Sequence, residues 1–181
     1  MHAGNGTRVA NPDSITKLKS GDEKIDFTFR DENHKNVSLS DERFKNKPVI
    51  VQIMGTWCPN CLDETKFLAQ WYFRNKNMNV AVVALDYEKI PDTAHAYRNI
   101  RRLKEQYGIE YPILFAGSSD KKEASKTLPM LNRVYAYPTL IFLDKNKKVV
   151  NIHTGFSGPA TGEAYTEFIR KFISMVNQLN D

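Results

Sequence analysis

The stretch "GTWCPNC", residues 55–61, contains the only two cysteines of the chain, Cys58 and Cys61. The apolar run "PVIVQIM" ends just before it, and a helical spacing of apolar residues follows in "CPNCLDETKFLAQWYFRNK". This order predicts a strand buried on both faces, then a short turn, then a helix that begins at the cysteines. The pair is therefore expected at the carboxyl end of a strand, where open α/β sheets form their sites. Two cysteines at this spacing can hold half of a metal site, form an inert disulfide or exchange electrons.

A metal site needs more ligands than the two cysteines supply. A closed zinc site takes four nitrogen or sulfur ligands, and the histidines of the chain show no ligand spacing to one another. No metal is therefore predicted. Copper held by Cys58, Cys61 and the distant His153 stays an alternative, although a structural role at the end of a strand is favoured for His153.

Dithiol chemistry is predicted because it uses every residue of the motif. A disulfide that closes such a short loop would add little stability, which argues against an inert bridge. At a helix N-terminus, Cys58 faces unpaired N–H groups and the positive end of the helix dipole, which favour its thiolate. Cys61 lies one turn further along the helix and is placed to resolve a mixed disulfide. Trp57 is expected to shield the pair, and Pro59 to stiffen the turn that holds the sulfurs together.

The rest of the chain alternates between strand and helix patterns. We expect a β-hairpin from residue 24 around "DENHKN" and a helical turn in "SDERF". After the cysteine helix we expect a buried strand over 78–87, a helix over 93–107, a strand in "YPILFAG" and a short helix in "SSDKKEASKTL". The chain then ends with a hairpin of "PTLIFLD" and "KVVNIHTG" and an amphipathic helix. Serine caps are expected for the helical turn and the short helix, and a left-handed Asn146 in the second hairpin. The apolar stripe of the last helix is expected to comprise Phe168, Ile169, Phe172, Ile173 and Val176. This order predicts an α/β fold with a central mixed β-sheet flanked by helices.

Composition and charge limit the range of functions. With 181 residues, of which 41% are hydrophobic, the chain fits one domain. We expect residues 1–21 to be a flexible N-terminal tail or an expression remnant, and residues 22–181 to be the folded domain. The net charge is +5, but the basic residues are dispersed and accompany no nucleic-acid motif, so we interpret them as solvated surface. No apolar run of about 18 residues is present, so no membrane span is predicted.

Several motifs together resemble one branch of a known superfamily. They are "WCPNC" at 57–61, Glu64 three residues after the second cysteine, "YPT" at 137–139 before the strand "LIFLD", and the ending "HTGFSGPATGEAYTEF". Over about residues 22–180, the chain resembles the TlpA/ResA-like thiol–disulfide oxidoreductases of the thioredoxin superfamily. The resemblance implies a thioredoxin-like fold with an N-terminal β-hairpin extension and an extra helical insertion before "YPILFAG".

The resemblance also implies roles for individual residues. Pro138 would be a cis proline that faces the cysteines, so that the Tyr137 backbone pairs with an extended substrate segment. Glu64 shares a helix face with Cys61 and would take or give its proton during exchange, whereas an exposed surface acid is the alternative. Asp63 is expected to be plain surface. The substrate-binding surface is expected to comprise Trp57, Pro59, Asn60, Tyr137 and Pro138.

Two departures from related proteins bear on the prediction. Thioredoxins carry a buried Asp six residues before the first cysteine, and Gln52 stands there instead, which shifts proton handling towards Glu64 or water. A peroxiredoxin, the rival enzyme of the same fold, needs Thr or Ser three residues before its active cysteine and Pro seven before it. The chain has Gly55 and Val51 at those positions, which argues against a peroxiredoxin.

The predicted function is electron exchange with protein disulfides in the reducing direction. The reduction potential is the single measurement that would test this function best. Beyond the redox-active Cys58–Cys61 disulfide, no cofactor is predicted. The expected partners are protein thiol or disulfide substrates, such as an apocytochrome c during cytochrome c maturation, and an upstream electron donor. The resemblance implies a monomer in the periplasm or cell envelope, membrane-anchored in a longer form of the protein.

Overall fold

The fold is a seven-stranded mixed β-sheet with helices on both faces. The computed structural model describes residues 16–19, 24–134 and 136–180, and the remaining residues of the expected tail lie outside this part. The strand order is β2-β1-β5-β4-β3-β6-β7. The strands are β1 (Thr28–Arg30), β2 (Asn36–Ser38), β3 (Val49–Met54), β4 (Ala81–Glu88), β5 (Ile113–Ser118), β6 (Thr139–Leu143) and β7 (Val149–Thr154).

The centre of the sheet brings three chain segments to one edge. β3 pairs with β4 in parallel, with Met54 opposite Asp86, and pairs with β6 antiparallel, with Ile53 opposite Thr139. The carboxyl ends of β3 and β4 and the beginning of β6 therefore meet. Every residue of β3 is buried, as expected for a continuous apolar, β-branched run between two covered faces.

Four helices cover the sheet. They are α1 (Pro59–Arg74), α2 (Thr93–Tyr107), α3 (Lys121–Thr127) and α4 (Glu163–Leu179). One apolar core lies between the sheet and α1, α2 and α4, and a second lies between the sheet, the N-terminal hairpin and α3. α1 begins directly after Cys58 because Pro59 has no N–H to lose at the first helical position. The predicted α/β class and mixed sheet are thus confirmed, and the extra helical segment is α2.

The N-terminal hairpin is tied to α2 by two of the dispersed basic residues. The Arg101 side chain donates to the backbone oxygen of Glu32 at 2.6 Å, and Lys104 Nζ lies 2.8 Å from a carboxylate oxygen of the same residue. These two residues are therefore not plain solvated surface. They fix β1 and β2 against the helix that connects β4 to β5.

Both serine caps were wrong. α3 begins after Asp120, whose carboxylate accepts the backbone N–H of Glu123 at 3.0 Å. An ionised carboxylate satisfies a free N–H and also favours the positive end of the helix, so Asp120 is the stronger cap. The helical turn Glu42–Phe44 is a 3-10 turn that follows Asp41 and has no side-chain cap.

Two side-chain expectations in the C-terminal third were also wrong. Lys147, not Asn146, takes the left-handed conformation of the second hairpin, with φ of 65°. Its ammonium group donates to the backbone oxygens of Phe44 and Lys47, which gives a reason for this position. Ile173 is 48% exposed and does not belong to the buried stripe of α4, which includes Phe168, Phe172 and Val176.

Candidate active site

The two cysteines lie on the first turn of α1 and differ sharply in environment. Both are free thiols; Cys58 is 6% exposed and Cys61 is fully buried. Cys58 occupies the N-cap position, and its sulfur accepts the backbone N–H of Cys61 at 3.3 Å. An N-cap side chain usually offers oxygen to the free N–H groups, and here a sulfur takes that place. Pro59 and Asn60 between them are exposed, so Cys58 is the sulfur next to solvent.

The same geometry separates the acidities of the two thiols. The pKa of Cys58 falls from 9.0 to about 7, first because of the hydrogen bond from the Cys61 thiol, and then because the N–H groups of Cys61 and Asn60 stabilise the anion. Burial opposes this effect only partly. The pKa of Cys61 is raised, because its thiol donates to Cys58, because it is buried, and because Cys58 and Glu64 place negative charge nearby. Near neutral pH, the thiolate is therefore favoured at Cys58, and Cys61 keeps its proton.

Trp57, which precedes Cys58, packs between the end of β4 and the loop before β6. Its indole Nε1 donates to the backbone oxygen of Tyr87 at 2.9 Å, and its ring packs edge-to-face on Tyr137 at 5.5 Å. Gly55 is required beneath it, since a Cβ there would clash with Trp57 Nε1 and lie 2.6 Å from the Tyr87 oxygen. The motif therefore needs its glycine for close packing and not for a left-handed turn.

The loop before β6 approaches Cys58. The Tyr137–Pro138 peptide bond is cis, and the backbone oxygen of Tyr137 lies 3.8 Å from Cys58 Sγ. Pro138 is buried, and the Tyr137 hydroxyl donates to the backbone oxygen of Ser119 at 3.0 Å. Of the predicted residues, Cys58, Trp57, Tyr137 and Pro138 thus come together in one place.

Glu64 lies beneath the dithiol and is fully buried, whereas Asp63 is exposed as expected. One carboxylate oxygen of Glu64 accepts from the Gln52 amide at 3.1 Å, and the other has no partner among the described residues. Burial raises the pKa of Glu64 well above 4.5, the Gln52 hydrogen bond opposes this, and the charge of Cys58 adds to it. The alternative of an exposed surface acid is therefore wrong.

Gln52, the departure from thioredoxins, has a clear structural role. It is fully buried on β3 and exchanges hydrogen bonds with the Thr65 hydroxyl at 3.2 and 3.3 Å while it holds Glu64. An amide at this position donates to the carboxylate, which a second carboxylate could do only when protonated. Gln52 thereby orients the one buried acid on the α1 face that also carries Cys61.

Comparisons with known proteins agree with this geometry. A model of the AhpC/TSA family matches residues 20–152. The chain belongs to the AhpC/TSA family. The sequence is 26% identical over 155 residues to the thiol-disulfide oxidoreductase ResA of Bacillus thuringiensis subsp. konkukian. The aligned region covers 86% of this chain and 79% of that protein. It is also 26% identical to ResA of Bacillus subtilis, over 76% of this chain and 69% of that protein.

Solved structures share the fold of this AhpC/TSA-family chain. A thiol:disulfide interchange protein of the thioredoxin family from Chlorobium tepidum superposes with a TM-score of 0.63 at 18% identity, over 87% of this chain and 95% of that one. The thioredoxin domain of a thiol-disulfide oxidoreductase from Bacteroides vulgatus gives 0.61 at 20% identity, over 87% and 99%. The thioredoxin-like fold and the resemblance to ResA-like proteins, predicted from the sequence, are confirmed.

The copper alternative is not supported by the arrangement of ligands. In the part of the chain that the structure describes, no group of three or more His, Cys, Asp or Glu residues could hold a metal ion. His153 lies on β7 opposite Leu140, with its ring 5.5 Å from that of Phe168. Burial lowers the pKa of His153, so its place is an apolar packing position.

Sequence reasoning missed the residues at the carboxyl end of β4. Lys89 Nζ lies 4.6 Å from the Trp57 ring centre, and its charge contributes to the low pKa of Cys58. Asp86 and Glu88 precede Lys89 on β4, and both are buried. The Thr56 hydroxyl donates to Glu88. The signal was present in "ALDYEK", which places two acids at the end of a buried strand. Parallel pairing of that strand with β3 would have set them beside the cysteine loop.

Proposed function

We propose that this protein is a thiol–disulfide oxidoreductase that reduces disulfides of partner proteins through Cys58 and Cys61. The observation that carries the proposal is the asymmetry of the pair. Cys58 is 6% exposed and its pKa is lowered to about 7, whereas Cys61 is fully buried and its pKa is raised. Dithiol exchange needs one nucleophilic sulfur and one sulfur held in reserve. The names of the ResA relatives support the same reaction.

Reduction of a substrate would proceed in two balanced steps. The Cys58 thiolate attacks one sulfur of the substrate disulfide, a mixed disulfide forms, and the other substrate sulfur leaves as a thiolate that takes a proton from solvent. Cys61 then loses its proton and attacks Cys58 Sγ. The Cys58–Cys61 disulfide forms, and the second substrate thiol is released. The two electrons passed to the substrate are restored by an upstream dithiol donor, which returns the pair to the reduced state.

Glu64 is proposed to accept the Cys61 proton in the second step. Cys61 and Glu64 are three residues apart on α1, so they share a face. The charge of Glu64 raises the pKa of Cys61. The raised pKa of Glu64 suits proton transfer near neutral pH better than that of an ordinary carboxyl would. Trp57, Pro59, Asn60, Tyr137 and Pro138 are proposed to form the surface that receives the substrate, with the Tyr137 backbone next to the reacting sulfur.

The acidity of Cys58 favours the reducing direction. Strong oxidants stabilise their reduced form through a very acidic thiolate, as in DsbA with a pKa of about 3.5, whereas thioredoxin has a value of about 7. Cys58 falls with the second group because burial opposes the hydrogen bond from the Cys61 thiol, the N–H groups of Cys61 and Asn60, and the charge of Lys89. A reduction potential near that of thioredoxin, about −270 mV, follows from this argument.

The cellular setting is proposed from the resemblance. We place the protein in the cell envelope, as a monomer that acts on protein disulfides such as that of an apocytochrome c and receives electrons from a separate donor. Among the described residues, no helix is both long and apolar enough to cross a membrane.

The reduction potential tests this proposal. The protein is equilibrated with glutathione redox buffers, quenched with acid and alkylated, and the two states are quantified by mass spectrometry, with Cys61→Ser as the variant that cannot form the intramolecular disulfide. We expect a value closer to about −270 mV than to about −120 mV. A potential above about −180 mV, the region of protein disulfide isomerase, would overturn the reducing direction.

A further inference from the structure

A groove of about 360 Å³ opens directly beside the cysteine loop. Trp57 and Leu62 from the site form one wall, and α2 forms the other with His95, Arg102 and Leu103. The rim is completed by the segment after β4, where Ile90 is 61% exposed. The groove thus continues the active-site surface past Trp57, away from the Tyr137 loop.

The groove carries positive charge that no ion pair neutralises. Lys89 and Arg102 are both exposed, and neither takes part in an ion pair within the described residues. Lys89 rests over the Trp57 ring, and its charge acts on Cys58. The one acid that lines the groove, Glu88, is buried and accepts from the Thr56 hydroxyl. Its carboxylate is therefore engaged inside the protein.

We propose that this groove binds an acidic segment of the substrate polypeptide, adjacent to the cysteine that Cys58 attacks. The inference rests on the proposed function and names the class of protein disulfide that the site prefers. Apolar surface from Trp57, Leu62 and Ile90 would receive an aliphatic side chain of the segment. Lys89 and Arg102, which line the same groove as Trp57, would pair with its carboxylates.

Each positive charge is expected to add only a small preference for an acidic segment, and the two charges together are expected to give a measurable one. Exposed ion pairs change an equilibrium by about two- to fivefold each, so two cations would favour an acidic over a basic segment by roughly tenfold. This preference should fade as salt screens the charges. Specificity of this kind acts mostly on encounter and orientation, and the chemistry of the dithiol would be unchanged.

Two matched peptides test the proposal. Each carries one cysteine as a mixed disulfide with 2-mercaptoethanol and differs only in having Glu-Leu-Glu or Lys-Leu-Lys next to that cysteine. Second-order rate constants are measured with the reduced full chain at pH 7, in about 10 mM and about 500 mM salt. We expect the acidic peptide to react roughly tenfold faster at low salt and less than about twofold faster at high salt.

Three variants assign the effect to the groove. Arg102→Glu should cut the preference about fivefold or more, and Lys89→Glu should reduce the ratio of the two rates even if it also alters Cys58. Lys145→Glu is the charge-matched control, because Lys145 is exposed in the turn between β6 and β7, at the opposite end of the sheet. It should keep the preference. Equal rates for the two peptides would overturn the proposal that the groove binds an acidic segment. An equal loss of the preference in Arg102→Glu and Lys145→Glu would overturn it as well.

An uncharged substrate separates this inference from the proposed function. Bis(2-hydroxyethyl) disulfide has no charge and no peptide segment. Its reduction by the unaltered chain therefore measures the dithiol reaction without the groove. Failure of the unaltered chain to reduce both this compound and the peptides would overturn the proposed function itself. Reduction of the small disulfide without any peptide preference would overturn only the acidic-segment proposal.

Discussion

The first two turns of α1 and the carboxyl end of β4 lie side by side, and both regions contain buried acids: Glu64 in the first, Asp86 and Glu88 in the second. In the first region, Glu64 is held by Gln52 and lies on the helix face of Cys61. In the second, Asp86 lies beside Glu88, and neither oxygen of Asp86 has a side-chain partner in the described part of the chain. The pKa of both Glu64 and Asp86 is raised, above all by burial. Only Glu64 also acts on the dithiol, because its charge raises the pKa of Cys61.

The difference shows why a perturbed pKa alone does not identify a catalytic group. Burial raises the pKa of any carboxyl, functional or structural. What distinguishes Glu64 is its electrostatic coupling to a thiol that must lose a proton. Asp86 couples instead to Glu88, which holds the Thr56 hydroxyl under the cysteine loop. The first region is therefore expected to set the rate of exchange, and the second to support the loop.

The largest expected effects come from the cysteines of the first region. Cys58→Ser should abolish exchange with protein disulfides, because it removes the nucleophilic thiolate. Cys61→Ser should instead accumulate mixed disulfides between Cys58 and substrate, because the resolving sulfur is missing. Non-reducing gels and mass spectrometry of trapped species check both results. Trapping by Cys58→Ser through Cys61 would reverse the assignment of the two sulfurs.

Replacing one buried acid in each region with its amide separates proton transfer from structural support. Glu64→Gln should slow exchange by about 10- to 100-fold, near the lower end of the about 10²–10⁴-fold that proton transfer contributes, because water can replace part of the role of Glu64. Asp86→Asn, the matched control, should change the rate by less than about threefold. Stopped-flow kinetics with a protein disulfide measure both. Equal slowing in the two variants would mean that general disturbance of the sheet edge, and not proton transfer at Glu64, sets the rate.

Stability should respond to pH in the same way in both regions. A carboxyl with a raised folded-state pKa contributes stability below its unfolded pKa, near 4.5 for Glu, and loses it as the pH rises through the folded value. The free energy of unfolding of the unaltered chain should therefore fall between pH 5 and pH 8 relative to that of Glu64→Gln and of Asp86→Asn, because the amides do not titrate. Urea unfolding of the reduced protein measures this difference. The low pKa of Cys58 has the opposite sign, with stability gained above about pH 7, and is common to all three proteins.

A result against this expectation would be informative. If the unfolding free energies of the amide variants and the unaltered chain differ by the same amount at pH 5 and pH 8, the carboxyls do not titrate at raised values. Retained Tyr87 and Tyr111 packing, followed by near-ultraviolet circular dichroism, would show that the variants keep the fold. Both tyrosines are buried near the two acids, so they report on local disturbance.

The smallest expected effect joins the two regions. Lys89→Ala removes the positive charge that the end of β4 places near Cys58, so the pKa of Cys58 should rise from about 7 to a value below about 8. Thiolate absorbance at 240 nm as a function of pH measures this shift. High salt should reduce the difference between the variant and the unaltered chain, because Lys89 is exposed. A fall in the pKa of Cys58 would contradict the proposed role of Lys89.

The sequence predicted the elements of the site better than the contacts between them. β3, α1 and the position of Cys58 follow from local patterns: an apolar, β-branched run, a helical period, and Pro59 at the first turn. The hydrogen bond between Gln52 and Glu64 depends on which face of β3 packs against α1, and no local sequence pattern predicts that face. Lys89 comes near Cys58 only through the parallel pairing of β3 with β4.

The wrong expectations have a common physical cause. Ser and Asp both cap helices, and the competition between them at α3 is decided by the loop that leads into the helix. Lys147 takes the left-handed position because its side chain reaches the oxygens of Phe44 and Lys47, which are distant in sequence. Such long-range contacts override local preference.

The central claim is that Cys58 is the thiolate and Cys61 the protected thiol. The most direct test is alkylation of the reduced protein with iodoacetamide between pH 5 and pH 10, with peptide mapping of the modified cysteine. The structure predicts that Cys58 is labelled first, with a midpoint near pH 7, and that Cys61 stays unlabelled while the protein is folded. Labelling of Cys61 before Cys58, or a Cys58 midpoint near 9.0, would contradict it.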